Sequence, residues 1–541
     1  MAVWFESKSK GKRNRFPFQT ADKPSTVNWG FVFSGLCYDV GMLKPAYPAQ
    51  TELEMVTLEQ LVPKDHLLRL IDQHIQFEFI RSETESLYCA NNGRPAIDPI
   101  VLFKMLFIGY LFGVRSERQL IREIEVNVAY RWFLGLRLTD PVPDASTLSQ
   151  NRRRRFAGTD IEQRIFDGIV EQAIAHKLIG GRVLYTDSTH LKANANKNKF
   201  ERHQVAQTPA AYLAELDAAV DAEREAVGQR SLRREGPPED SDTGGSGAGL
   251  ERELKHSTTD PDAGFMARDG KPQGFFYLDH RTVDGEHALI VDTHVTPGNV
   301  NDSQPYLARL DRVRGRFALP VGAVGLDAGY FTPYLCKGLV ERGLYAVMGY
   351  RRPGHRQGYF YKRDFHYEPG TDTYLCPGGQ LLSYRGTVRA GYREYACAPG
   401  QCASCPLRGR CSQSATPRKV LCRHVWEHYK EQVDANRLTE LGKRLYARRK
   451  ETVERSFADA KQLHGHRYAR FRRLAKVQAQ CLLCAACQNM KKIALLLARK
   501  ARAAKTRFLR LIWPICACCA PNRSRTVYGY VSANLPICFV C

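Results

Sequence analysis

The sequence has no run of about 18 consecutive apolar residues, so a membrane-spanning helix is not expected. Its first 45 residues open as MAVWFESKSKGKRNRFPFQT, basic and aromatic, without the apolar core a secretory signal needs. They read as an upstream extension or a loose basic arm, with the more regular chain beginning after Met42. Acidic residues are also in short supply: 56 Asp and Glu face 80 Lys and Arg, for a net charge of +24. That excess specifies no fold but attracts polyanions, nucleic acid first and an anionic membrane surface second. A cytoplasmic, nucleoid-associated location is the expectation, with no membrane partner. In such a reducing compartment the 17 cysteines, an odd number, point to metal ligands and buried thiols rather than a disulfide framework.

From about 55 to 175 the pattern is helical. HLLRLIDQHI spaces its apolar residues by three and four. IDPIVLFKMLFIGYLFGV is apolar nearly throughout, yet Asp98, Pro99 and Lys104 mark it as a core helix. SERQLIREIEVNVAYRWFLGL opens with a capping box, Ser116 and then Gln119. DASTLSQNRRRRF follows, with Asp144 or Ser146 as its cap and Arg152 to Arg155 on the exposed face. Helix, turn and short basic helix suit a helix-turn-helix reader of DNA; a solvated charged face gives the same pattern.

Between about 181 and 352 the period becomes that of strands: RVLYTDST, GFFYLDHRTV, HALIVDTHVT, AVGLDAGY and LYAVMGY. SQPYLARLDRVRG and PYLCKGLVERG read as helices after the third and fourth strands, giving a mixed α/β sheet. A long insertion at about 200–272, helical and then the polar linker PPEDSDTGGSGAG, separates the first two strands. The expected domains are an extension at 1–50, a helical N-terminal DNA-binding domain at 51–178, and the first part of an α/β core at 179–352. A Cys-rich inserted subdomain follows at 353–425, then the helical last part of the core at 426–505 and a tail at 506–541. In that last part RKETVERSFADAKQLHG is amphipathic, and CLLCAACQNMKKIALLLARK reads as a helix packed on the sheet.

Three acidic residues stand out. Asp187 ends the first strand. Asp327 ends AVGLD and precedes Ala328 and Gly329, small enough to admit something close. Glu454 lies beside the apolar stripe of its helix. Carboxylates gathered at the carboxyl edge of parallel strands repel one another, and their burial is costly without a cation. Two Mg²⁺ ions about 4 Å apart relieve that repulsion and suit in-line attack at phosphorus. Taken singly, a strand-end Asp is more commonly a turn residue, and Asp279, Asp292 and Asp302 compete for the role.

Strand Asp, later strand Asp and helix Glu after an inserted region resemble the DDE transposases of bacterial insertion sequences. YTDSTHLKANANK, GFFYLDHRTVDGEHALIVDTHVTPGNVNDS, GLDAGY and KETVERSFADAKQLHGHRYARFRRLAKV resemble the IS-eleven-eighty-two group in particular. EQLVPKDHLLRLIDQHI to YRWFLGL resembles that group's N-terminal domain, so the likeness runs over roughly 50 to 500. The resemblance implies an RNase H-like mixed sheet with flanking helices, and Asp187, Asp327 and Glu454 as ligands of Mg²⁺ or Mn²⁺. It also implies binding of double-stranded DNA at terminal inverted repeats, strand cleavage, transfer of 3′ hydroxyls into target DNA, and a homo-oligomer on the DNA. A DNA-binding regulator without activity, or a nuclease that does not join, are the other readings. A related signature, Y-x₂-R-x₃-E-x₆-K, fits at Glu454 and Lys461, which are about two helical turns apart. Its first half departs: positions 447 and 450 are Ala and Lys, and Tyr446 and Arg449 each sit one residue early.

Lys461 and Arg455 are therefore candidate phosphate contacts. So are Arg467, Arg470, Arg472 and Arg473 in HGHRYARFRRLAK, where basic and aromatic residues alternate, and Arg152 and Arg153 of the basic helix. Cys376, Cys402, Cys405 and Cys411, with a C-x₂-C pair among them, suit a structural Zn²⁺, and Cys397 is a fifth candidate. Free or redox-active thiols are the alternative. Cys481, Cys484 and Cys487 share one face of an apolar helix and read as small core residues.

Overall fold

The computed structural model describes residues 53–89, 96–206, 210–232, 251–267, 273–351, 358–412 and 418–518. The expected extension at 1–50 and the linker PPEDSDTGGSGAG lie outside the described residues. The described chain is mixed α/β, with eight strands in one sheet: β1 (Val183–Lys192), β2 (Phe200–Ala206), β3 (Glu251–Ser257), β4 (Gly264–Met266), β5 (Gly274–Asp284), β6 (Ile290–Pro297), β7 (Ala323–Leu326) and β8 (Tyr345–Met348). Their order is β2-β3-β4-β5-β1-β7-β8, and β6 pairs with β5 beyond the end of β4. β5 is antiparallel to β1 and β6, whereas β1, β7 and β8 run parallel.

The five strands expected from apolar β-favouring runs all form. The insertion adds three more, β2, β3 and β4, around the expected helix Ala210–Ala226. FERHQVA and ERELKHS are strongly charged. β2 is the rim of the sheet and β3 lies next to it; strands near an edge carry such residues to discourage pairing with other chains, which hides them from a search for apolar alternation.

Among the described residues, eight α-helices and one 3₁₀ turn (Glu85–Leu87) fill the N-terminal region between Leu58 and Ala175. Ser116 caps Glu117–Val126 by accepting from the Gln119 amide at 3.4 Å, but the Gln119 side chain turns to Glu123 instead of completing the box. Asp144, rather than Ser146, caps the basic helix Ala145–Arg154, accepting from the Ser146 amide at 2.7 Å. The last helix runs from Leu474 to Cys518, past the expected end at 505. It packs on β6 and on the helices Leu67–His74, Pro99–Leu111 and Ile161–Ala175. Cys481, Cys484 and Cys487 are wholly buried in it, as small core residues. Part of this helix, Leu474–Ala504, is apolar and long enough to cross a membrane by composition alone, but 67% of its most apolar window is already buried within the fold. One apolar cluster joins the N-terminal helices (Leu68, Phe103, Phe107, Phe166) to the sheet (Leu184, Val283, Val324) and to the long helix (Leu482, Met490).

Between β8 and the Glu454 helix a second, all-antiparallel sheet forms. Its strands are β9 (His366–Glu368), β10 (Thr373–Leu375), β11 (Leu381–Val388), β12 (Tyr392–Ala396) and β13 (Val420–His424), side by side in chain order. Its own core is small: Phe365, Tyr374, Leu382, Tyr395, Cys397 and Leu421.

Candidate active site

Asp187 is not at the end of its strand. β1 continues to Lys192 because the antiparallel partner β5 pairs with it all the way, Asp187 lying opposite Arg281. What ends is the parallel pairing: Thr186 and Leu326 are the last matched residues of β1 and β7. Asp187 and Asp327 are each the next residue along, where the two strands diverge. Just before the divergence, Gly325 makes room for the ring of its partner Tyr185, which a Cβ there would meet at 2.6 Å.

Glu454 reaches the same place from another direction. Arg449, only 4% exposed, donates from Nη2 to Asp187 Oδ2 at 2.8 Å, and its Nη1 lies 3.6 Å from Asp327 and 3.8 Å from Glu454. All three carboxylates thus surround one guanidinium. Tyr446 is part of the same group, 3.4 Å from Arg449 through its hydroxyl.

The one-residue departure from the signature has a local explanation. Five residues of α-helix turn through about 500°, which would leave Arg449 some 140° away from Glu454. Lys450–Glu454 is instead a π-helical turn, closed by the Glu454 amide on the Arg449 carbonyl, five residues back, at 3.2 Å. The wider turn absorbs the extra residue and returns Tyr446, Arg449 and Glu454 to one side. The signal was present in the sequence as an intact Y-x₂-R displaced by one position.

The electrostatics of the group are unbalanced. Burial raises the Asp187 carboxyl to about 6, and the Asp327 and Asp302 charges add to the rise against the pull of Arg449 and the Ser188 amide. Asp327 and Glu454 are about half exposed, at 51% and 47%. Three carboxylates and one guanidinium leave a negative excess open to solvent, which suits hard divalent cations held by oxygen and water.

The competing acids behave differently. Asp279 accepts from Arg281 (2.9 Å), His466 (2.9 Å) and Thr293 (2.6 Å), all buried. Burial alone would raise its carboxyl, but Arg281 and His466 together hold it below the usual range. Among the described residues, Asp279, His466 and Cys481 form the only trio of potential metal donors with all atoms within 4.8 Å of one another. Their atoms are already bonded to each other and to an arginine that supplies the positive charge, so the trio reads as a buried network. Arg281 continues to Ser456 and Gln488, tying the helix after Glu454 and the long helix to β5. Asp292 is likewise paired, with Arg309 at 2.6 and 2.9 Å. Asp302 lies closer to the site, accepting from Ser188 at 2.7 Å.

The basic candidates divide. Arg153, Arg455, Arg467, Arg472 and Arg473 are exposed, although Arg455 pairs with Asp459 at 3.0 Å and Arg473 lies 3.6 Å from Asp262. Arg472 donates to the Asn194 carbonyl at 3.0 Å. Lys461 is half-buried on the helix Arg455–Leu463. Two depart from a free phosphate-binding role: Arg470 lies over the Tyr110 ring at 4.1 Å, and Arg152 pairs with Glu117 and lies over Phe471 at 4.2 Å. Both stitch the N-terminal helices to the segment after Glu454. That segment is bound to the end of β1 itself: Lys192 donates to the Arg467 carbonyl at 3.2 Å and accepts from the Ala469 amide at 2.8 Å. The strand that carries Asp187 therefore leads directly to exposed Arg467.

Two family models match this chain. One, described as a transposase domain, matches residues 56–154, the N-terminal helices. The other, described as a transposase DDE domain, matches residues 375–494, from the second sheet through Glu454 to the long helix. These matches support a transposase of the insertion-sequence type. With the DDE domain comes support for an enzyme of the nuclease and transposase kind. No curated protein matches the chain. Among solved structures, a piggyBac transposase synaptic complex with hairpin DNA aligns at 11% identity and a TM-score of 0.31, over 80% of this chain and 76% of that one. So loose a superposition carries no argument about this chain.

Proposed function

We propose that this protein is a transposase of the IS-eleven-eighty-two group that cleaves DNA at terminal inverted repeats and joins the freed 3′ hydroxyls to target DNA. The observation that carries the reading is the meeting of Asp187, Asp327 and Glu454 around Arg449, where β1 and β7 part. The strand order β6-β5-β1-β7-β8, antiparallel on one side of β1 and parallel on the other, supports an RNase H-like core.

The residues fit a divalent metal: their donors are all carboxylate oxygens, two of the three open to solvent, with negative charge in excess. Asp187, Asp327 and Glu454 would hold Mg²⁺ or Mn²⁺. When bound, such ions activate water or a 3′ hydroxyl and stabilise the leaving oxygen. The rigid sheet fixes Asp187, and the π-turn fixes Glu454. Arg449 orients Asp187 through its 2.8 Å hydrogen bond. Arg455 and Lys461 are positioned on the helix that follows to meet phosphate, and the exposed arginines from 467 to 473, with Arg153, to follow a DNA backbone. Holding two DNA ends together calls for a homo-oligomer on DNA.

Asp187→Ala is expected to abolish excision of a donor element in cells; retained excision would contradict the role of Asp187. A strand-transfer assay on pre-cleaved donor ends separates joining from hydrolysis: joined products are expected, and hydrolysis alone would reduce the protein to a nuclease.

A further inference from the structure

The second sheet carries a feature unconnected with the carboxylate site. Five cysteines converge at one end of it. Cys376 follows β10 directly, Cys397 follows β12 directly, Cys402 and Cys405 lie in the next loop, and Cys411 ends the short helix Arg408–Cys411. All five line a single space of about 30 Å³, on the scale of one ion or water. They are buried or half-buried free thiols, although three other cysteines lie in the core of the long helix and Cys422, on β13, is exposed.

A backbone amide and three basic side chains face the sulfurs. The Gln380 amide donates to Cys376 Sγ at 3.2 Å, within the tight turn Cys376-Pro377-Gly378-Gly379-Gln380. A Cβ on Gly378 would lie 3.5 Å from Cys405 Sγ and 3.6 Å from Cys376 Sγ, so two sulfurs from separate loops reach the same glycine. Arg408, Arg418 and Lys419 line the space, and among the described residues no Asp, Glu or His does. Four thiolates on a divalent ion leave a net charge of −2, which these cations offset. An all-sulfur donor set selects Zn²⁺ or an iron–sulfur centre over hard cations. The segment 397–411 also lacks apolar anchors of its own: its contribution to the small core is Cys397, with Cys402 and Cys411 packed against it. Small units of this kind are commonly held by a metal.

We propose that Cys376, Cys402, Cys405 and Cys411 bind one structural Zn²⁺, with Cys397 a buried neighbour rather than a ligand. Cys397 Sγ touches Cys402 Sγ at 2.9 Å and also faces the Lys419 carbonyl at 3.9 Å. Ligand sulfurs on tetrahedral zinc stand about 3.8 Å apart. The thiols ring a wider space than that, since no three of them meet the 4.8 Å spacing that the Asp279 trio does. Binding therefore draws the loop at 398–407 inward, and a metal-dependent change in that loop is part of the proposal.

The test uses the full chain, purified without chelator. Elemental analysis is expected to find about one zinc per chain. Cys405→Ala and Cys376→Ala are expected to lose it, while Cys397→Ala and Cys422→Ala keep it. On removal of zinc, hydrogen exchange should rise several-fold across 397–412 and stay unchanged across β1. Should the ligand variants fail to fold, Co²⁺ exchanged into the unaltered chain gives a second measurement: intense visible bands and sulfur-to-cobalt charge transfer mark a tetrahedral thiolate site. Absence of zinc together with absent cobalt bands, an iron–sulfur spectrum, a Cys397–Cys402 disulfide by mass, or zinc lost with Cys397 but kept without Cys405 would each overturn the assignment.

Discussion

Two sets of acids lie on or against the same sheet and are treated in opposite ways. Asp279 and Asp292 are buried, and each has an arginine of its own, Arg281 or Arg309, with further donors beside it. Asp187, Asp327 and Glu454 share a single arginine among three, and two of them face solvent. A carboxylate that serves the fold comes with its counter-charge; the group left short of positive charge is the one to which the proposed function assigns a metal. Arg449 is the cation that offsets the mutual repulsion of the three carboxylates. Sequence position does not separate the two sets, because all but Glu454 lie on or directly beside apolar strands.

The contrast predicts different consequences of removal. Asp279→Ala leaves Arg281 buried without its partner and is expected to cost about 3–5 kcal/mol, enough to deplete folded protein. Asp187→Asn is expected to keep the thermal midpoint of the metal-free protein while excision is lost. Thermal unfolding of both variants, with excision measured alongside, checks the pair; equal destabilisation would erase the distinction.

Added Mg²⁺ sharpens it next. At a hundred times its dissociation constant, an ion that binds only the folded state stabilises it by about 2.7 kcal/mol. The wild type is expected to show such a rise in thermal midpoint, and Asp187→Asn, Asp327→Asn and Glu454→Gln little or none. Arg449→Ala is expected to lower the midpoint of the metal-free protein, with the deficit narrowing as Mg²⁺ replaces the missing charge.

The effect of pH follows from Asp187. Its folded-state value, about 6, lies above that of an unfolded Asp, so the folded chain binds the proton more tightly. Its contribution to metal-free stability is thus greatest below the unfolded value and is lost as pH rises through about 6. Metal needs the ionised form, so Mg²⁺ affinity is expected to fall as pH drops through the same range. Calorimetric titration at several pH values checks the sign, and Asp187→Asn should flatten the profile. The smallest effect is expected from deleting Lys450, an exposed residue of the π-turn: the helix regains ordinary winding, the signature spacing is restored, and excision persists. Complete loss would mean the π-turn does more than absorb one residue.

Much of the fold was legible. The strands at Val183, Gly274, Ile290, Ala323 and Tyr345 announce themselves through apolar β-favouring runs, and the carboxylates through their oddity beside them. What stayed hidden has physical causes. β2 and β3 are charged strands within an insertion. The position of Asp187 within β1 depends on a partner strand 96 residues away, since Thr186 pairs with Thr282. The place of Arg449 depends on a change of helical winding that 3.6-residue periodicity cannot express. The arginine that satisfies Asp279 is only two positions along, yet it reads as an ordinary alternating strand residue, and His466 arrives from 187 residues away.

The account is tested most directly by counting Mn²⁺ ions on the full chain, by electron paramagnetic resonance, with and without the combined Asp187→Asn, Asp327→Asn, Glu454→Gln substitutions. It predicts bound Mn²⁺ in the unaltered protein and none at this site in the triple variant, with the fold intact by circular dichroism. Equal Mn²⁺ binding by both proteins would contradict it.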